Sequence, residues 1–405
     1  MSNERKQRMG QDSTLDITAA WQLAPGVTYL NHGSFGPTPI PVLEARERWQ
    51  RELAANPMDF FVRRLNGLLE DAAGELAKFV NAPRDNLVFV PNATVAMNVV
   101  AANLPLKAGD EVLLNDHEYG AVIRIWGQAC QAVGAKTVLA RLPYPMTSPS
   151  EVVDAIFDKV TDRTRLLVVS HVTSPTAIIL PIQAICDRAR ELKLPVCVDG
   201  PHAPAMVPVD LKSLDCDYYT ASCHKWLSAP LGTGFLYVRS RHKQGLRPTV
   251  LSWGRSLDGK NPSWKDEFHW PGTFDPTGAL AVPAAIQFLK DYGLARFREE
   301  THALARYARE QMLERLQAKP ITPDDASWYG SMVAVELPLP DDATPPGPPH
   351  PLQQWLWENH RIEIPVVRWR EKTLLRVSAH LYTTRGQIDL LVEAVADWLN
   401  RKAAT

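Results

Sequence analysis

From about Asn86 to Val238, short β-branched apolar runs alternate with helix-length stretches whose apolar residues recur every three or four positions. That alternation predicts a parallel sheet covered by helices on both faces. Strands are expected over residues 87–90, 111–114, 165–169, 195–199, 218–221 and 235–238, and helices over 93–102, 122–133 and 183–192. Near Thr277 the pattern changes, and two long helical stretches (278–292 and 293–317) lead into a mixed region ending near Trp398. The expected fold class is α/β, with an N-terminal tail (1–25), a large domain built on a mainly parallel sheet (26–285) and a smaller α+β C-terminal domain (286–405). Residues 338–351 contain seven prolines, which bar a helix or an inner strand and predict an exposed loop.

The remaining composition narrows the function by exclusion. With 45% hydrophobic and 22% charged residues, the 405-residue chain reads as an ordinary globular protein. Lysine plus arginine (44) nearly equals aspartate plus glutamate (45), so no overall field favours nucleic acid or an anionic membrane, and any anion must be held locally. Residues 1–13 are polar without the apolar core of a signal peptide, and no later run is long enough to span a bilayer; a cytoplasmic location is expected. The five cysteines (Cys130, Cys186, Cys197, Cys216, Cys223) show no Cys-x-x-Cys spacing and read as reduced and structural. None of the eleven histidines forms an i, i+4 pair, so no metal is expected.

Ligands of open α/β sheets sit beyond the carboxyl ends of the strands. There the chain offers Asn92 and Thr94, His117, the run from His171 to Ser174, Asp199 with His202, and the run from Ser222 to Lys225. A lysine, an acid and several hydroxyls are the parts of a pyridoxal 5'-phosphate (PLP) site. Lys225, between His224 and Trp226, lacks the setting of a solvated lysine, and desolvation would make its amine available for a Schiff base. Asp199 ends an apolar strand and is followed by Gly200 and Pro201, which weaken a helix-cap reading and point to a carboxylate for the pyridine nitrogen. The segment from Pro91 to Thr94, between strand and helix, suits a phosphate, though an ordinary N-cap would look the same. Gly232-Thr-Gly234 precedes a strand rather than opening a helix, which argues against a dinucleotide site.

These residues resemble fold-type I PLP enzymes (aspartate aminotransferase-like) of the class V aminotransferase group, in particular the isopenicillin N epimerase-like branch. The resemblance rests on the segments from Tyr29 to Pro37, Asp116 to Gly120, Val198 to Ala203, Ser222 to Trp226 and Leu375 to Tyr382. It implies Lys225 as Schiff-base lysine and proton shuttle, Asp199 on the pyridine nitrogen, His117 stacked on the ring and His202 near the cofactor hydroxyl. It further implies Ala93, Thr94, Ser222 and His224 around the phosphate, and a homodimer in which Gly272-Thr273 of the neighbouring subunit completes that site. Arg376 would take the substrate carboxylate, with Asn31 and His32 at the substrate edge. Ser174 falls in Val172-Thr-Ser-Pro175, where relatives carry an asparagine near the cofactor hydroxyl. No cysteine lies beyond Cys223, which disfavours persulfide-forming desulfuration.

The motifs leave the reaction open. An epimerase needs a second acid or base across from Lys225, for which Tyr119, His32 and His117 are candidates; a β-lyase acting on a cysteine-derived substrate or sulfoxide needs a leaving group instead. Aminotransferase chemistry and PLP binding without turnover rank below these. The aromatic and charged stretch 251–274 reads equally as a substrate entrance or a subunit contact.

Overall fold

The computed structural model describes residues 17–254, 263–341 and 349–403. In chain order its strands begin with β1 (Thr28–Tyr29), β2 (Leu87–Val90), β3 (Glu111–Asn115), β4 (Lys136–Ala140), β5 (Thr164–Ser170), β6 (Val196–Asp199), β7 (Tyr218–Ser222) and β8 (Gly234–Val238). They continue with β9 (Lys319–Pro320), β10 (Met332–Glu336), β11 (Ile362–Glu363), β12 (Val366–Trp369) and β13 (Lys372–Ser378).

Seven strands form the central sheet in the order β2-β8-β7-β6-β5-β3-β4. All neighbours are parallel except β8, which runs antiparallel to both β2 and β7. Strands β2, β3, β6, β7 and β8 are buried at every position, as two covered faces require, and this is why they read as unbroken apolar runs. Each expected strand is present to within a residue at either end. The edge strand β4 escaped the pattern because four of its five residues are at least partly exposed and it opens on Lys136. Flanking helices Ala93–Asn103, Gly120–Val133 and Ile182–Glu191 match the amphipathic stretches; Gly134, at φ 73°, supplies the left-handed residue that ends the second.

A smaller antiparallel sheet, β12-β13-β10-β9, is packed by helix Leu294–Leu316, on which helix Arg385–Ala403 packs in turn. Of the expected tail, residues 1–16 lie outside the described residues, while Trp21 is buried edge-on against Phe288, His380 and Tyr382. Of the proline-rich stretch, 342–348 also lie outside; its last residue, Pro351, instead opens helix Pro351–His360 at a position where a missing N–H costs nothing. Among the described residues no helix is long and apolar enough to cross a membrane.

Candidate active site

A cavity of about 590 Å³ opens beyond the carboxyl ends of the central strands. Its wall includes Asn92, Ala93 and Thr94 after β2, Ser170, Val172 and Ser174 from the end of β5, Asp199 and His202 after β6, and Ser222, His224 and Lys225 after β7. Arg376 reaches the same space from β13, and Tyr119, Ser34 and Phe35 border it.

Lys225 stands on the turn joining β7 to β8, whose main chain is closed by Cys223 N–H to Thr233 O at 2.9 Å and Ser228 N–H to Lys225 O at 2.8 Å. The antiparallel return allows a close approach: a Cβ on Gly234 would lie 2.5 Å from Ala221 O and 2.8 Å from Asn92 Cα. Gly234 therefore serves backbone packing beside the helix start, while Gly232, at φ 81°, supplies a left-handed turn residue. Burial, reinforced by the Arg376 charge and opposed by Asp199, lowers the Lys225 pKa to about 7. The hydrogen bonds point the same way. The Trp226 indole, a donor only, gives its hydrogen to His202 Nδ1 at 3.3 Å. A neutral His202 then carries its proton on Nε2, which faces Lys225 Nζ at 3.1 Å and requires a lone pair there. Burial keeps His202 neutral by holding its pKa well below the usual value.

Asp199 accepts a 2.6 Å hydrogen bond from Thr220 Oγ1. Burial raises its pKa to about 6 despite that bond and the Lys225 charge. Gly200 follows because a Cβ there would fall 2.2 Å from the Tyr219 hydroxyl. On the side of helix Ala93–Asn103, Asn92 caps by accepting from Val95 N at 2.9 Å, and Ser222 Oγ accepts from Ala93 N at 3.2 Å. The N-cap reading of Asn92 and the placement of that helix start on the cavity are thus both realised.

Arg376 is 4% exposed and makes no ion pair among the described residues. Its Nη2 donates to Ser34 Oγ at 2.9 Å and its Nη1 to the Ser174 carbonyl, while Nε has no partner. Burial lowers its pKa to about 10, with Tyr119 opposing. A guanidinium buried without a carboxylate is costly in a protein that does not receive one from a ligand.

Four expected site residues are not on the cavity wall. His117 is fully buried, with Nδ1 2.8 Å from Thr176 Oγ1 and its ring 4.2 Å from that of Trp369. His32 turns away to donate from Nε2 to Lys225 O at 3.0 Å and accept at Nδ1 from Tyr382 at 2.8 Å, and it stacks on His380 at 3.9 Å. Asn31 is buried, bridges in parallel to Ser378 and leaves Oδ1 unpaired. Thr273 is exposed elsewhere on the surface. In the stretch 251–274, Arg255 and Lys260 lie outside the described residues, and Lys265 is buried on Glu70 and Arg84 O, each at 3.0 Å. The sequence reading missed Ser34, second anchor of Arg376, and Glu118, whose buried carboxyl accepts Ser170 N at 2.9 Å and Ser170 Oγ at 2.5 Å. Both fall within the motifs it quoted, but nothing in their spacing shows which way they face.

This donor set fits PLP: a neutral amine, a buried carboxylate, a helix start with hydroxyls, and a free guanidinium for an amino acid's carboxylate, around a cavity of ordinary ligand size. The aminotransferase class-V family model matches residues 28–391. The isopenicillin N epimerase of Amycolatopsis lactamdurans is 39% identical, over 94% of this chain and 99% of the relative. That of Streptomyces clavuligerus is 36% identical, over 92% and 95%. A C-DES variant with glycine covalently linked to its PLP cofactor shares the fold at a TM-score of 0.78 and 21% identity, covering 92% of this chain and 97% of that one. The chain is a PLP-dependent enzyme of the aminotransferase class-V family.

Proposed function

We propose that this enzyme works at the α-carbon of a small amino-acid substrate with isopenicillin N epimerase-like chemistry. The observation that carries the reading is the buried Arg376 guanidinium, free of any ion pair among the described residues, on the wall of the cavity that also holds the Lys225 amine. Bound PLP supplies an electron sink that acidifies the substrate's α-hydrogen. In this reading Lys225 holds the cofactor covalently, Asp199 sits on its ring nitrogen, and Ala93, Thr94, Ser222 and His224 surround its phosphate. Arg376 grips the substrate carboxylate with two parallel N–H bonds, which fixes the α-carbon. Lys225, whose amine burial makes available in its neutral form, takes the α-proton on one face, and His202 Nε2 keeps that amine oriented. Tyr119 is the one of the three second-acid candidates on the cavity wall, and we assign it the opposite face.

We further propose a cytoplasmic homodimer in which the exposed Thr273 serves the partner's phosphate site. Sedimentation at the mass of a single chain would remove this part of the reading.

The functional test is incubation of the yellow enzyme in heavy water with amino acids and cysteine-derived thioethers and sulfoxides, followed by NMR. Deuterium at the α-carbon with loss of chirality is expected. Pyruvate, ammonia and a released sulfur fragment would instead make it a β-lyase.

A further inference from the structure

Strand β13 carries Arg376 in its carboxyl half; its amino end begins at a two-residue hairpin turn, since Trp369 of β12 pairs with Lys372 of β13. The turn residues, Arg370 at φ 47° and Glu371 at φ 66°, are both left-handed, positions that such turns usually give to asparagine and glycine. A turn kept in this conformation with side chains that disfavour it calls for a reason elsewhere.

The reason lies across the cleft, on the loop after β3. Arg370 Nε and Nη2 both donate to Asp116 Oδ2, and Nη2 also donates to Leu142 O at 2.8 Å. The Trp369 indole donates to Asp116 O at 2.8 Å, and its ring packs on that of His117. Tyr144 completes the packing 5.1 Å from the Trp369 ring and anchors itself to Glu336 of β10 by a 2.6 Å hydrogen bond. Asp116 is further held by Leu142 N at Oδ1, 3.1 Å away. The Arg370 and Asp116 side chains are 15% and 12% exposed, so the pair is shielded from solvent screening. The clamped loop carries His117 and, two residues on, Tyr119 at the cavity wall.

We propose that Trp369 and Arg370 are positioning residues: the hairpin turn sets the Asp116–Tyr119 loop against the cofactor and ties its placement to the strand that holds the substrate carboxylate. The inference rests on the functional reading above for the role of that loop. It assigns to this turn a task beyond closing the small sheet.

The test uses the cofactor-loaded enzyme with Arg370→Gln, Asp116→Asn and the double variant, read by circular dichroism in the cofactor's visible band, by melting temperature, and by kcat and KM for α-hydrogen exchange. Each single variant is expected to weaken the visible dichroism and lower kcat by roughly 10- to 100-fold, the effect of a misplacement of about 1 Å, with KM changed less. The double variant should lose little more than either single one, since both remove the same contact. Trp369→Phe, which keeps an aromatic ring without the indole donor, should show a smaller loss in the same direction. Native dichroism and kcat in Arg370→Gln would overturn the inference, as would losses that follow only the melting temperature. The dichroism requires no turnover, so an enzyme that binds PLP yet exchanges no α-hydrogen defeats the functional reading and leaves this comparison intact.

Discussion

At the amino ends of the central strands Asp110, Glu111 and Asp217 are buried beside cations, whereas around the cavity beyond the carboxyl ends the buried Asp199, the half-buried Lys225 and the buried Arg376, which reaches in from β13 of the small sheet, have little compensation. Asp110 meets Arg165 at 2.8 Å, Glu111 meets Arg163 at 2.9 Å and Lys136 at 3.3 Å, and Asp217 meets His242 at 2.7 Å as well as Arg241. The pKa of each of these acids is lowered. Around the cavity, Asp199 rises to about 6, Lys225 falls to about 7 and Arg376 to about 10, burial being the first cause in all three. One end of the central sheet lets charges stabilise the fold; beyond the other the charges are left poorly compensated, as the proposed ligand site requires.

The largest break in this contrast is Lys225→Ala. The yellow absorbance should vanish and turnover should fall by roughly 10²- to 10⁴-fold or more, without loss of melting temperature, because a poorly compensated amine has been removed. An unchanged visible spectrum would end the assignment of Lys225.

Arg376→Lys comes next. A lysine cannot form the paired contact, so amino-acid affinity should drop roughly 10- to 100-fold, the value of about 1.5–3 kcal/mol for bonds to a charged group, while PLP retention stays the same. Equal affinity in a spectral titration would count against the role. A sharper version uses the enzyme stripped of PLP. A lowered lysine pKa means that the reactive neutral amine gains population as pH rises through about 7, so PLP capture should accelerate across that range and then level off. Arg376→Leu removes a repelling charge, raises the Lys225 pKa and should move the midpoint upward; an unmoved midpoint would leave burial as the sole cause.

The smallest effect belongs to the amino end. Against the cost of burial, hydrogen bonds from His242 and Val196 N and the Arg241 charge lower the Asp217 pKa. A carboxyl lowered on folding stabilises the protein above the unfolded pKa, and that stability is lost as pH falls through the folded value. Asp217→Asn should therefore lower the melting temperature by a few degrees at neutral pH, with the difference shrinking in acid and activity per folded molecule unchanged. A loss of activity there would blur the division between the two ends.

Much of this contrast was legible in the chain because strands buried on both faces announce themselves, and a polar residue closing such a run stands out, as Asp199 does, or following it closely, as Lys225 does three residues after β7. Direction was not legible. His32 and Ser34 are two residues apart in one motif, yet Ser34 lines the cavity and His32 supports the Lys225 turn from behind. Nor was the Trp369–Arg370 contact, since its partner Asp116 is more than 250 positions away in sequence and the pairing exists only once both sheets are assembled. The edge strand β4 stayed hidden because a strand open to solvent needs few apolar residues.

All five cysteines are buried, and burial raises the pKa of each thiol, Cys186 to about 12. Toward alkylating reagents the folded chain should thus behave as if it had no cysteine. Phe35, at the cavity rim and 67% exposed, is then a natural place to introduce one, because a fluorophore attached there would report on cavity access without background labelling.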